Sequence, residues 1–118
     1  MGELGTNELL ILTPENFETE ILKFSDLAIV DFYATWCGPC KQQAPVMEKI
    51  AKENTDQKIK IGKFNVDDDK GKKIAIKHKI FSVPTIIFFQ SGKEIKRLIG
   101  YTPKEKLQTM INEIIKGQ

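Results

Sequence analysis

Apolar and polar positions along this chain alternate between strand-length runs and amphipathic stretches. Leu9-Leu10-Ile11-Leu12 is a short apolar run of strand length. Thr13-Pro14 supplies an N-cap followed by proline at the first helical position. Phe17, Ile21 and Phe24 then recur at i, i+4 and i+7, which predicts a helix with one apolar face, ended by Ser25-Asp26. Residues 27–34 are apolar on both faces except at Asp31, the pattern of a central strand covered by helices on each side. A helix to about Asn54 follows, with Val46, Met47, Ile50 and Ala51 as its buried stripe and Pro45 as the place for a kink.

Residues 58–66 alternate and then turn apolar, a strand signature. Asp67 to Gly71 reads as a loop, followed by a short helix that turns Ile74, Ala75 and Ile80 inward. Pro84 to Gln90 reads as a strand with proline at its first position, where the missing N–H does least harm. Ser91-Gly92 makes a tight turn, and Glu94 to Ile99 pairs back as an antiparallel strand. Thr102-Pro103-Lys104-Glu105 has the form of a capping box. The last helix carries Leu107, Met110, Ile111, Ile114 and Ile115 on one face and stops at Gly117. The order β-α-β-α-β-α-β-β-α predicts an α/β fold: a central mixed five-stranded sheet in a three-layer α/β/α arrangement, with the final hairpin as its antiparallel edge. Residues 1–8 read as a flexible arm and 9–118 as a single domain.

Composition narrows the function classes. The chain has 118 residues with 18 basic and 16 acidic side chains, for a formal net charge of +2. That balance argues against nucleic acid or a membrane surface as partner. No apolar run approaches the length of a membrane span, and the N-terminal stretch lacks a basic n-region, so a cytoplasmic protein is expected.

The chemistry centres on Trp36-Cys37-Gly38-Pro39-Cys40, which holds both of the chain's 2 cysteines. The pair follows the most buried predicted strand and opens a helix. Sites in open α/β sheets form there, beyond the carboxyl ends of central strands. Cysteines three apart lie on one helix face, at a separation compatible with a disulfide. A loop that small would add less stability than a long-range bridge, so a structural staple explains the pair poorly. Free N–H groups and the positive dipole end at a helix start favour a thiolate. Cys37, nearest that end, is the expected nucleophile, and Cys40, one turn inside, the expected resolving thiol. Zinc would need more ligands than two cysteines and His78, the single histidine, so no metal is expected. Two inert buried thiols are the blander alternative.

Asp31 interrupts its apolar strand on the face of Ile29 and Tyr33. Burial would raise its pKa and suit it to proton transfer with a thiol. Lys63 in the next strand is placed to temper that carboxyl. His78, between Lys77 and Lys79, reads as part of a solvated face, and Asp67 to Asp69 as a solvated loop without EF-hand spacing.

With these residues in view, the chain resembles the thioredoxin family from about Leu9 to Ile115. WCGPC is that family's active-site motif. Asp31 stands where the family has a buried aspartate, Lys63 where a lysine faces it, and Pro45 where a proline kinks the helix. Val83-Pro84-Thr85 matches the family's cis-proline loop, and Gly92 and Gly100 its two late glycines. The resemblance implies a protein-disulfide reductase acting through mixed disulfides. It implies a cis Val83–Pro84 bond and a surface of Trp36, Gly38, Pro39, Val83, Pro84 and Gly100 that docks substrate proteins. It further implies a monomer without bound cofactor, recharged by a thioredoxin reductase that draws on NADPH. Tyr33, Phe81, Ser82 and Tyr101 depart from the usual residues, and Phe81 and Tyr101 bear on partner choice. The rival readings are an oxidant or isomerase, whose relatives usually carry histidine inside the CxxC, and a non-catalytic binding subunit.

Overall fold

A computed structural model describes residues 8–117, so the arm expected over 1–8 lies, apart from Glu8, outside the described residues. Strands β1 (Leu10–Leu12), β2 (Leu27–Tyr33), β3 (Ile59–Asn65), β4 (Thr85–Gln90) and β5 (Lys93–Ile99) form one sheet in the order β1-β3-β2-β4-β5. β3 runs parallel to both β1 and β2, whereas β4 runs antiparallel to β2 and to β5. Helices α1 (Gly38–Glu53), α2 (Asp69–Lys77) and α3 (Lys104–Lys116) complete the chain. This is the mixed three-layer fold that the sequence predicts.

Both sheet faces are apolar because β2 must be covered twice. Leu27 and Ile29 join Ile61, Ile86 and Phe88 against Met47, Ile50 and Ala51 of α1 and Leu107 and Ile111 of α3. Ala28, Val30 and Phe32 face the other way, against Phe17, Ile21, Phe64, Ile87 and Phe89. Each of the Leu, Ile, Val, Met and Phe side chains among them contributes about 1.5–3 kcal/mol when fully buried. Helix propensities differ by only a few tenths of a kcal/mol per residue, so packing and not local preference sets the elements.

Several local expectations give way to that packing. Thr13 and Asn16 close the turn ahead of the helix, Thr13 Oγ1 accepting from Asn16 N at 3.2 Å and Thr13 N–H donating to Asn16 Oδ1 at 2.7 Å. The helix itself starts later, with Phe17 as its N-cap and no side-chain cap bond. It is only a π-helical turn over Glu18–Leu22, closed by Lys23 N to Glu18 O at 2.9 Å. Phe17 and Ile21 are buried, but Phe24 stays at the rim under the Lys60 ammonium, 4.5 Å from its ring centre. Residues 69–71 form the first turn of α2 instead of a loop, because Asp68 caps it by accepting from Lys70 N at 2.9 Å. Gly71 makes that turn fit, since a Cβ there would strike the Asn65 carbonyl. His78 is not solvated. It is half-buried, with its ring 5.3 Å from that of Phe17 and 5.8 Å from that of Phe89. Burial first, and the Lys77 charge second, lower its pKa. The expected capping box at α3 does not form: Pro103 is the N-cap, without a side-chain bond, and Ile115 on the last turn is exposed.

Candidate active site

β2 ends at Tyr33, and four residues later the chain enters α1 with Cys37 as its N-cap. Cys37 and Cys40 are joined as a disulfide, their Cα atoms 5.2 Å apart. The Cys37 sulfur accepts the Cys40 amide at 3.2 Å. An orphan N–H of the first helical turn is therefore aimed at the sulfur that the sequence nominates as nucleophile, and such a donor favours a thiolate there on reduction. Pro39 sits inside that first turn and removes a donor that would have no partner. Both cysteines are buried, Cys37 at 4% exposure, in a small cluster with Ala34, against which Tyr33, Val66 and Val83 pack.

The wall opposite comes from distant sequence. The Val83–Pro84 peptide bond is cis, and the Val83 carbonyl oxygen lies 3.6 Å from the Cys37 sulfur. The disulfide sulfur carries no hydrogen, so this is a contact; a reduced Cys37 thiol is placed to donate to it. Gly100 N donates to Pro84 O at 2.8 Å, which ties the end of β5 to the proline loop. The φ of +94° at Gly100 is one that side-chain-bearing residues rarely adopt. Gly38 and Pro39 are exposed beside the dithiol, and Trp36 is 68% exposed. The Trp36 indole does not hang free: its N–H donates to Asp67 Oδ1 at 3.2 Å, and Thr35 donates to the other oxygen at 3.4 Å. Trp36, Val66, Ile80, Phe81, Ser82 and Val83 line a groove of about 410 Å³ beside the dithiol, and Phe81 is 90% exposed on its edge.

Asp31 lies on the α1-facing side of β2 at 2% exposure, with no protein hydrogen-bond partner for Oδ1. Burial raises its pKa to about 7, against the downward pull of Lys63. Lys63 is its register partner on β3, with its ammonium 5.5 Å from the centre of the Tyr33 ring. The Tyr33 phenol is itself pushed upward, by burial and then by the Asp31 charge.

One buried polar residue escaped the sequence reading, and its partner Thr102 was read there only as a cap. Gln43 is fully buried on α1, one turn past Cys40, and it grips the backbone of Thr102, itself 4% exposed. Its Nε2 donates to Thr102 O at 2.9 Å and its Oε1 accepts from Thr102 N at 2.8 Å. The Thr102 hydroxyl turns to Gly100 O at 3.4 Å, away from α3, which is why the capping box is absent. The available signal was position: Gln43 extends the stripe of Met47 and Ile50 by one turn.

A disulfide at a helix start, facing a proline loop beyond the carboxyl end of a central strand, defines a thiol–disulfide oxidoreductase. Among the described residues no group of three or more His, Cys, Asp or Glu could hold a metal ion. The comparisons narrow the class. A family model for thioredoxin matches residues 8–113. The thioredoxin of Alicyclobacillus acidocaldarius subsp. acidocaldarius is 38% identical over 106 residues, 90% of this chain and 97% of that protein. The bifunctional thioredoxin reductase/thioredoxin of Mycobacterium leprae is 36% identical over 104 residues, which are 88% of this chain and 22% of that protein. The solved thioredoxin of Malassezia sympodialis superposes with a TM-score of 0.78 at 31% identity, covering 91% of this chain and 90% of that one. The chain belongs to the thioredoxin family. Its activity is protein-disulfide reduction through the Cys37–Cys40 pair.

Proposed function

We propose that reduction runs with Cys37 as nucleophile, Cys40 as resolving thiol, Asp31 as proton carrier and Lys63 as the residue that tempers Asp31. The Cys37 thiolate attacks a target disulfide, forms a mixed disulfide and expels one target sulfur as thiolate. Asp31, ionised in a share of molecules at neutral pH, takes the proton of Cys40. The Cys40 thiolate then attacks Cys37, closes the internal disulfide and releases the second target sulfur. Two electrons pass from the cysteine pair to the target. The observation that carries this reading is the Cys37 sulfur as N-cap acceptor of the Cys40 amide, 3.6 Å from Val83 O.

Trp36, Gly38, Pro39, Val83, Pro84 and Gly100 form the docking surface for target segments, and Phe81 and Tyr101 at its margin bias which targets bind. Residues 9–118 act as one domain and as a monomer. A thioredoxin reductase using NADPH restores the dithiol. The M. leprae relative, named as reductase and thioredoxin in one chain, supports that pairing. Among the described residues no helix is long and apolar enough to cross a membrane, which accords with a cytoplasmic setting.

Insulin reduction tests the assignment, with dithiothreitol as one electron source and NADPH plus a thioredoxin reductase as the other. Rapid turnover with both is expected, together with a trapped, mass-detectable mixed disulfide from Cys40→Ser. Full turnover by Cys37→Ser would overturn it.

A further inference from the structure

Gln43 touches neither sulfur, yet it is placed to govern what the sulfurs meet. Its side chain is fully buried, and its amide pairs with both the N–H and the C=O of one residue, Thr102, as a neighbouring strand would. Thr102 follows Gly100 and Tyr101, the stretch in which Gly100 N is bonded to Pro84 O at 2.8 Å. This rim is thus held on one side by the proline loop and on the other by the dithiol helix. Gln43 and Cys40 are three apart on α1, so the clamp and the resolving thiol share one helix face.

We infer that Gln43 is a positioning residue for target docking: it fixes the Gly100–Thr102 rim against the dithiol helix so that a target's extended segment meets a preformed edge. The inference rests on the docking surface proposed above. A buried amide with both functions used defines one rim position, whereas an aliphatic side chain of the same size leaves the Thr102 N–H and C=O unpaired and lets the rim relax toward solvent. A rim that must be ordered at each encounter weakens binding without altering the exchange chemistry.

The test is steady-state insulin reduction by Gln43→Leu and Gln43→Glu, each held well below its own Tm, beside wild type. Gln43→Leu should raise KM for insulin about tenfold with kcat within about threefold, as loss of preorganised binding requires. Relative to wild type at each pH, Gln43→Glu should recover KM as pH falls, because a carboxyl that gains a proton both donates and accepts as the amide does, whereas an ionised one only accepts. An unchanged KM in Gln43→Leu, or a loss in kcat alone, overturns the inference, as does a Gln43→Glu protein whose relative KM does not improve as pH falls. Tyr101→Arg separates the underlying reading. An unaltered insulin KM in Tyr101→Arg overturns docking on this rim; an altered KM there with none in Gln43→Leu overturns only the role of Gln43.

Discussion

Asp31 and Gln43 are both buried polar side chains on the two elements that meet at the dithiol, and they are treated in opposite ways. Asp31, on β2, is 2% exposed with Oδ1 unpartnered, whereas Gln43, along α1, is fully buried with its amide nitrogen and oxygen both bonded. A buried polar group without partners is expensive and persists where its discomfort is useful. The Asp31 carboxyl is held near neutrality, ready to gain or lose a proton. The Gln43 amide has nothing left to exchange, so it serves geometry. In the roles proposed above, one of these residues serves chemistry and the other shape.

The bluntest way to break this contrast is to remove what both residues serve. Cys37→Ser should drop insulin reduction to background while leaving the far-UV circular dichroism unchanged.

Asp31→Asn comes next. The Asp31 pKa is raised from 3.8 to about 7, so the folded state holds a proton that the unfolded state has released. Stability therefore falls as pH rises from about 4 to about 7, and the penalty is complete above that window. At about 1.4 kcal/mol per unit the gap sets a ceiling of about 4 kcal/mol. Asp31→Asn should recover much of this at pH 8 and little at pH 4, by urea unfolding of the oxidised protein. It should also slow exchange about a hundredfold near neutral pH, the scale of general acid–base catalysis.

Gln43→Leu should move stability the other way, by about 1–3 kcal/mol, because it orphans two backbone groups. If both substitutions shift the urea midpoint in the same direction, the contrast is wrong. The smallest effect belongs to Lys63→Met. Removing the charge that opposes burial should raise the Asp31 pKa further, moving the upper end of the pH-dependent window upward.

What was legible in the sequence follows the same division. The β2 run, the α1 stripe and the dithiol at their junction are local patterns with strong periodicity, and the structure places them as read. Asp31 was legible because a charge inside an apolar strand is conspicuous. Gln43 was not, because a glutamine on a helix normally faces water and only Thr102, 59 residues away, explains its burial. His78 failed for a related reason. Its lysine neighbours announced a surface, while the rings of Phe17, Phe32 and Phe89 that receive it come from three other segments. The capping box failed because its threonine backbone was already engaged from outside the helix.

The contact between Cys37 and the Val83 carbonyl spans 46 residues, and the clamp from Gln43 to Thr102 spans 59. A chain growing from its N-terminus therefore carries both cysteines before it has the wall or rim that surrounds them. At 5–20 residues per second the interval from Gln43 to Thr102 lasts roughly 3–12 s. During synthesis the protein is first an unscreened pair of thiols and only afterwards a discriminating one.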